Sequence, residues 1–186
     1  MRKSCRLIII AGVIILGMGL LGCAGIPPAP TLGPDSNTAK VYFVMPGGGV
    51  TITGGGLSLN AQFTLWDSDT FISNIGRKEN LMFYMTAGTH YLMASGGNWW
   101  IIEADLAAGK SYYFEVITLP GFSRPSVRLR FIEPGDPELD KYMNDTKEIS
   151  PKGSVAESMI QEAAKKLNDA RGGSQNIDKV TADQGI

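Results

Sequence analysis

The stretch that decides the fold class covers residues 99–117 and reads Trp99-Trp100-Ile101-Ile102-Glu103-Ala104-Asp105-Leu106, then Ala107-Ala108-Gly109-Lys110-Ser111, then Tyr112-Tyr113-Phe114-Glu115-Val116-Ile117. Its two apolar runs are short and rich in aromatic and β-branched residues, and a turn at Gly109 separates them. Runs of this kind with a glycine turn between them are typical of consecutive β-strands.

Similar runs continue on both sides of this stretch, and turn residues interrupt them at short intervals. Where apolar and polar side chains alternate, the pattern indicates a strand with one buried face. Many short strands without intervening helices predict a mainly β fold, here an antiparallel β-sandwich of about seven to eight strands over residues 39–134. The further predicted strands are 40–45, 59–66, 70–75, 81–85, 91–94 and 127–132, with 50–53 as an optional short strand.

After residue 134 the pattern changes to helical periodicity. Asp136 before Pro137 is a helix-start signal and predicts a short helix over 137–145. Ser154 and Glu157 have the spacing of a capping box, and an apolar stripe follows, which predicts a second helix over 155–171. The stripe consists of Val155, Met159, Ile160, Ala163, Ala164 and Leu167. We therefore expect a helical extension over 135–172 and a disordered polar tail over 173–186.

The N-terminus has a basic start and then an apolar run over residues 7–21. As a helix this run of 15 residues would span about 22 Å, less than the roughly 30 Å hydrocarbon core of a bilayer. The arrangement favours a secretory signal peptide over residues 1–22. The alternative is an uncleaved membrane anchor.

Leu20-Leu21-Gly22-Cys23, at the end of this run, resembles the lipobox of bacterial lipoproteins. The resemblance implies cleavage between Gly22 and Cys23, a thioether-linked diacylglycerol on Cys23, and a new N-terminus acylated with a chain such as palmitate. Two or three such chains hold a protein stably on a membrane. Ala24 implies, by the same resemblance, an outer-membrane location with the body facing the periplasm. The proline-rich segment 23–38 predicts an extended tether that lifts the body from the membrane.

Composition argues against several classes of function. Without its signal the chain keeps 14 basic residues against 18 acidic ones, so no basic excess attracts nucleic acid. Cys5 leaves with the signal and Cys23 carries lipid, so no disulfide is expected. We expect the membrane as a partner through Cys23, no nucleic-acid partner, no metal and no cofactor.

Four segments within residues 40–132 share a recognisable pattern: Val41-Tyr42, Ala87-Gly88-Thr89-His90, Ala107-Ala108-Gly109-Lys110-Ser111-Tyr112-Tyr113 and Arg124-Pro125-Ser126. With these segments the body resembles a family of small bacterial lipoproteins that is defined as a domain of unknown function. Domains of this kind are similar to PEGA-type and carboxypeptidase-regulatory-type sandwiches. The resemblance implies a binding or structural module, and we expect an envelope protein or peptidoglycan as its partner.

His90 is the single histidine, so a Ser-His-Asp triad or a zinc site would have to use it. Its position after a glycine is that of a turn or edge residue, and no catalytic constellation is evident. We therefore expect a non-enzymatic protein. The alternative is an envelope hydrolase that uses His90 with Asp105 or Glu103.

Two loop types have a simpler interpretation than ligand binding. Asp67-Ser68-Asp69-Thr70 faintly resembles a calcium loop, but it offers few acidic ligands and a β-turn is expected there. The glycine-rich segments 46–49 and 53–56 lack the Lys-Ser/Thr of a phosphate-binding loop, so we predict turns.

The pairs Trp99-Trp100 and Tyr112-Tyr113 are the candidate binding face. Neighbouring side chains in a strand point to opposite faces, so one member of each pair should be outward. An outward Trp and an outward Tyr on adjoining strands would form an aromatic patch for a glycan, a peptide or a partner protein. Alternatively, the second predicted helix covers this face, because its apolar stripe must be buried somewhere.

Overall fold

Two five-stranded sheets form the body of the protein in this computed structural model, which describes residues 25–47, 61–121, 124–173 and 177–186. The strands are β1 (Thr38–Met45), β2 (Gln62–Asp67), β3 (Thr70–Gly76), β4 (Glu79–Thr86), β5 (Gly88–Ser95), β6 (Trp99–Leu106), β7 (Ser111–Leu119), β8 (Ser126–Ile132), β9 (Lys147–Ile149) and β10 (Asp178–Val180). The helices are α1 (Leu139–Asp145) and α2 (Glu157–Arg171), and a 3₁₀ turn spans Ala182–Gln184.

The predicted mainly β sandwich with a C-terminal helix is confirmed. Strands β1 to β8 coincide with predicted runs, while the predicted strand 50–53 lies outside the described residues. The first sheet has the order β8-β7-β1-β4-β9 and the second has the order β10-β6-β5-β2-β3. Most pairs are antiparallel as expected, but β1–β7, β4–β9 and β6–β10 are parallel. The first of these arises because β5 and β6 belong to the second sheet, so β7 returns to the first sheet alongside β1.

The main core lies between the two sheets and comes from the inward side chains of both. Phe43 and Phe114 pack there with ring centroids 5.9 Å apart, and Leu65, Leu92 and Ile102 of the second sheet are nearly or fully buried in the same cluster. Burial of this apolar surface is the dominant favourable contribution to the free energy of folding. In these strands the inward-pointing residues of the predicted two-residue alternation are therefore the apolar ones.

A second apolar cluster lies on the outer face of the second sheet, beneath α2. Trp66, Phe71 and Met93 are buried there although they lie on the opposite face from the main core. Helix α2 contributes the small residues Ala163 and Ala170 to this cluster. Of the predicted apolar stripe, Val155, Ala163 and Leu167 are buried and Met159, Ile160 and Ala164 are partly buried. The second sheet therefore has apolar clusters on both faces.

The N-terminal segment contacts the body, so the described part of the predicted tether over 23–38 does not stand apart from the domain. The Ile26 N–H donates to the Val155 carbonyl over 2.7 Å, and the Val155 N–H donates back to Ile26 over 3.0 Å. The Ala29 N–H donates to Phe71 over 2.8 Å. The backbone groups of this proline-rich segment thus find partners beside α2 and along β3.

The C-terminal tail is also ordered, so the prediction of disorder over 173–186 is wrong for residues 177–186. Strand β10 pairs with the edge of β6, and Val180 is buried in the main core. The Ile186 backbone exchanges hydrogen bonds of 2.8 and 2.9 Å with Ser111. The segment is ordered although it is mostly polar, because β10 pairs with the otherwise open edge of β6 and Val180 is buried.

The predicted extension over 135–172 contains both helices and also β9, which was not predicted and which pairs with β4. The start signals are only partly correct. Asp136 accepts the Glu138 N–H over 2.9 Å, and α1 begins at Leu139 rather than at residue 137. The predicted capping box of Ser154 and Glu157 is wrong, because Ala156 is the N-cap and makes no side-chain cap.

Candidate functional site

The predicted lipidation and cleavage site, Gly22-Cys23, lies outside the described residues. The first described residue that binds the body is Ile26, three positions after Cys23. Across the described ranges, no helix combines the length and hydropathy needed to cross a membrane.

The two aromatic pairs do not form one patch. Trp99 and Trp100 lie on β6 of the second sheet, whereas Tyr112 and Tyr113 lie on β7 of the first. The prediction that they occupy adjoining strands is therefore wrong. The physical reason is that the Gly109 turn carries the chain from one sheet to the other, which a pattern of apolar runs does not reveal.

The alternation predicted within the tyrosine pair is confirmed. Tyr112 is fully buried, and its hydroxyl accepts the Ala107 N–H and donates to the Ala182 carbonyl, both over 2.9 Å. Tyr113 lies partly exposed on the outer face of the first sheet and stacks on Tyr42, with ring centroids 4.6 Å apart. Burial and the neighbouring Tyr113 raise the pKa of Tyr42.

The tryptophan pair also alternates. Trp100 faces inward at the edge of the main core, with the Arg128 guanidinium 5.2 Å from its ring centroid. Trp99 faces outward, tilted against Trp66 at 5.7 Å, and its indole N–H donates to Glu162 Oε1 of α2 over 2.8 Å. Helix α2 therefore covers part of the outward face, as the alternative interpretation predicted.

His90 binds at both of its ring nitrogens. Nδ1 lies 2.8 Å from Asp67 Oδ2, and Nε2 lies 2.9 Å from the Thr86 carbonyl oxygen. Both partners are acceptors, which suits a protonated ring that donates twice. The hydrogen bond to Asp67 is the largest cause of a raised His90 pKa, and burial opposes it.

Asp105 and Glu103, the predicted partners of His90, are not its neighbours. His90 lies opposite Ala104 in the β5–β6 pair, so the residues on either side of Ala104 point to the other face of the sheet. Glu103 instead binds Lys179 over 2.9 Å. The histidine–carboxylate pair predicted for a hydrolase is therefore wrong in its partners. The actual carboxylate, Asp67, is 23 positions away in the chain.

The expectation of a simple turn at 67–70 is confirmed, because β2 ends at Asp67 and β3 begins at Thr70. Among the residues with a described placement, no group of three or more His, Cys, Asp or Glu side chains could hold a metal ion. The glycine-rich segment 53–56 and most of 46–49 lie outside the described residues.

Within the described ranges, a cleft at one end of the second sheet combines an aromatic side chain with polar groups and is a candidate binding site. It encloses about 500 Å³ between the start of β2, the β5–β6 turn and α2. Ligand sites commonly have volumes of roughly 300–1,000 Å³. We call it the Trp99 cleft; its lining comprises Ala61, Gln62, Phe63, Thr64, Ser95, Gly96, Gly97, Trp99, Arg124, Pro125, Met159 and Glu162.

The β2–β5 pairing and the β5–β6 turn position Thr64, Ser95 and Gly97 in the Trp99 cleft. Thr64 and Ser95 face each other across the β2–β5 pair and form part of the lining. The buried Ser95 hydroxyl accepts the Trp66 indole N–H over 3.1 Å, which fixes its position. Glycine is required in the turn, because a Cβ on Gly97 would approach the Arg124 carbonyl oxygen to 2.8 Å.

A second cavity of about 400 Å³ lies between the β3–β4 turn and α1. Its lining mixes both signs of charge, with Lys78 and Lys141 beside Glu115 and Glu138. The two acidic groups have partners, since Arg130 donates to Glu115 over 2.8 Å. Glu138 accepts the Tyr142 hydroxyl over 2.5 Å, and burial together with this bond raises the Tyr142 pKa.

Sequence reasoning found Trp99 but missed the other cleft residues. Gln62, Thr64 and Ser95 looked like the solvent side of ordinary strands, and Arg124 looked like a loop residue. The one available signal was Glu162, a carboxylate next to the apolar stripe of α2. It could have been placed near Trp99 only once the helix was known to pack on that face.

Comparisons of the chain with family models, with curated proteins and with solved structures found no match. The lipobox and the likeness of the body to small lipoproteins therefore stay predictions.

Proposed function

We propose that this chain is a lipid-anchored, non-enzymatic binding module of the bacterial envelope, held by Cys23 at the outer membrane and facing the periplasm. The observation that carries the binding role is the Trp99 cleft, a preformed space with an aromatic wall and converging polar groups. The anchoring is supported by Leu20-Leu21-Gly22-Cys23 after a basic and apolar start.

The surroundings of His90 favour binding over hydrolysis. A general base needs a ring nitrogen that can take a proton, and both His90 nitrogens are already bound to acceptors. The ring joins the β4–β5 corner to β2, which is a structural role. A hydrolase would be the second candidate only if His90 proved necessary for function at normal abundance.

Lipidation is tested by feeding cells an alkyne-tagged fatty acid and measuring the label on the purified protein. The full chain should carry label and sediment with membranes, while Cys23→Ala should lose both properties. Cys5→Ala is the matched control, because it changes the other cysteine and should keep the label. A Cys23→Ala variant that still carries label would overturn the proposed anchor.

The non-enzymatic role is tested by complementation of a deletion strain. His90→Gln should restore the envelope phenotype of the deletion at wild-type protein abundance. A Gln62→Ala, Arg124→Ala double variant should fail to restore it at the same abundance, because both changes lie in the cleft lining. Failure of His90→Gln alone would favour the hydrolase.

A further inference from the structure

The Trp99 cleft has hydrogen-bonding capacity that the protein does not use. Ser95 is 5% exposed, and its hydroxyl accepts the Trp66 N–H, so its own proton stays available for donation. Glu162 uses Oε1 for Trp99 and keeps a second oxygen. The Gln62 amide and the Arg124 guanidinium make no side-chain hydrogen bond inside the described ranges. A ligand there would meet both donors and acceptors.

The wall of the cleft is a fixed aromatic surface. The hydrogen bond to Glu162 orients the Trp99 indole, and Trp66 supports it from one side at a centroid distance of 5.7 Å. Met159 lies on the α2 side of the same space. A wall that is already in position costs little conformational entropy when a ligand binds.

The charges of the cleft narrow the ligand class. Its charged side chains are one base, Arg124, and one acid, Glu162, so the lining has no net charge. A phosphate group would be opposed by Glu162, and a polycation by Arg124. The fitting ligand is neutral, has one apolar face for the indole, and carries several hydroxyl or amide groups around its rim. A pyranose ring has this distribution of groups.

We propose that the Trp99 cleft binds a neutral pyranose unit of a glycan, with the ring packed against Trp99 and its rim hydrogen-bonded by Gln62, Arg124 and Glu162. This inference rests on the proposed binding function and names its ligand class. It differs from the sequence-based aromatic patch, because Trp100, Tyr112 and Tyr113 take no part.

The test is saturation-transfer NMR on the purified full chain in detergent, with cellotriose, maltotriose and chitotriose as neutral glycan probes. Trialanine and ethyl phosphate, which both carry non-exchanging C–H protons, are the competing probes. At least one glycan should receive saturation on its ring C–H protons, and neither the peptide probe nor the phosphate probe should receive any. Saturation of no glycan, or stronger saturation of trialanine than of any glycan, would overturn the proposal.

Variants assign the signal to the cleft. Gln62→Ala and Arg124→Ala should each weaken the apparent affinity at least fivefold, because each removes hydrogen bonds at an exposed rim without touching the core. Glu162→Gln keeps an oxygen for the Trp99 N–H and should weaken binding less than Glu162→Ala. Tyr113→Phe, on the other sheet, is the control and should leave affinity unchanged. Equal affinity in all cleft variants would refute the site.

The glycan-binding test can fail independently of the lipidation and complementation tests of the proposed function. A protein that carries lipid at Cys23 and restores the deletion phenotype, yet saturates no glycan, contradicts the pyranose ligand alone. A protein without lipid that still binds glycan in a manner sensitive to Gln62→Ala contradicts the anchor alone.

Discussion

At the scale of single residues, His90 gives the sharpest prediction. Its ring bonds Asp67 of β2 and Thr86 of β4, so it ties the two sheets together at the β4–β5 corner. Hydrogen bonds to charged groups contribute about 1.5–3 kcal/mol. We expect His90→Gln to lower the free energy of unfolding by about 1–2 kcal/mol at pH 6, since Gln can keep only part of these contacts. Urea denaturation measures this difference.

The same contact makes the stability depend on pH. The folded pKa of His90 is raised above the ordinary histidine value of 6.5, chiefly by the hydrogen bond to Asp67. A raised folded pKa means that the stabilisation is complete below about pH 6.5 and is lost as pH rises through the folded value. The difference in free energy of unfolding between the wild type and His90→Gln should therefore shrink from pH 6 to pH 9. For Asp69→Asn, in the neighbouring exposed turn, the corresponding difference from the wild type should not depend on pH in this way. A gap that widens with pH would contradict the assignment.

Alternation within strands was enough to predict that one member of each aromatic pair points inward and the other outward, as Tyr112 and Tyr113 show. The partner of His90 could not be predicted in this way. Asp67 lies beside it only because β2 pairs with β5, and that pairing is set by the whole sheet. The cleft residues were missed for the same reason, because they come from β2, the β5–β6 turn, a later loop and α2.

At the scale of elements, Tyr112 links the C-terminal segment to the body. Its hydroxyl satisfies Ala107 and Ala182 at once, so Tyr112→Phe leaves two backbone groups without that partner. We expect a loss of about 1–3 kcal/mol and faster amide hydrogen exchange over 178–186. Tyr113→Phe is the matched control, because it removes the neighbouring hydroxyl from a partly exposed ring. Equal exchange in the two variants would contradict this role.

Leu167 tests how helix α2 packs on the body, because its side chain is only 5% exposed. Leu167→Ala should lower the free energy of unfolding by about 2–4 kcal/mol, because it removes apolar contacts and leaves a cavity. Asn168→Ala, on the exposed side of the same turn, should change it by less than about 0.5 kcal/mol. Thermal unfolding of both variants measures the contrast. A similar loss in both variants would mean that α2 does not pack through Leu167.

The helices were predictable because a stripe repeated at helical spacing is a local signal. The three-residue strands β9 and β10 were not, since each is too short to show a period. Each exists because it completes the edge of a longer strand, β4 or β6, far away in the chain. Composition alone therefore predicted disorder where an edge pairing and the buried Val180 produce order.

At the scale of the whole molecule, the sandwich followed from the repeated strands, but the assignment of strands to sheets did not. Consecutive strands β4 and β5 lie in different sheets, as do β6 and β7. The turns at Ala87 and Gly109 look no different in sequence from hairpin turns. Only the match between two apolar surfaces decides where the chain crosses, and that match involves every strand.

The contact between the N-terminal segment and the body predicts how far the body stands from the membrane. Given lipid at Cys23, only three residues lead to Ile26, a reach of about 10 Å when extended. Ile26→Pro removes the N–H that donates to Val155 and should free the segment as far as Ala29, whose own N–H still binds Phe71. The reach then grows to about 20 Å. Energy transfer from a dye on Asn168→Cys to labelled lipid headgroups should be strong in the parent protein and weaker with Ile26→Pro.

A control for this experiment separates reach from misfolding. Twelve Gly and Ser residues inserted between Cys23 and Ala24 should weaken the transfer without loosening the docked segment. In that variant the Val155 amide, which donates to Ile26, should stay protected from hydrogen exchange, whereas Ile26→Pro should expose it. Equal transfer in the parent protein and both variants would mean that the docked segment does not set the distance. The membrane-proximal position would then need another cause, such as direct contact between the body and lipid.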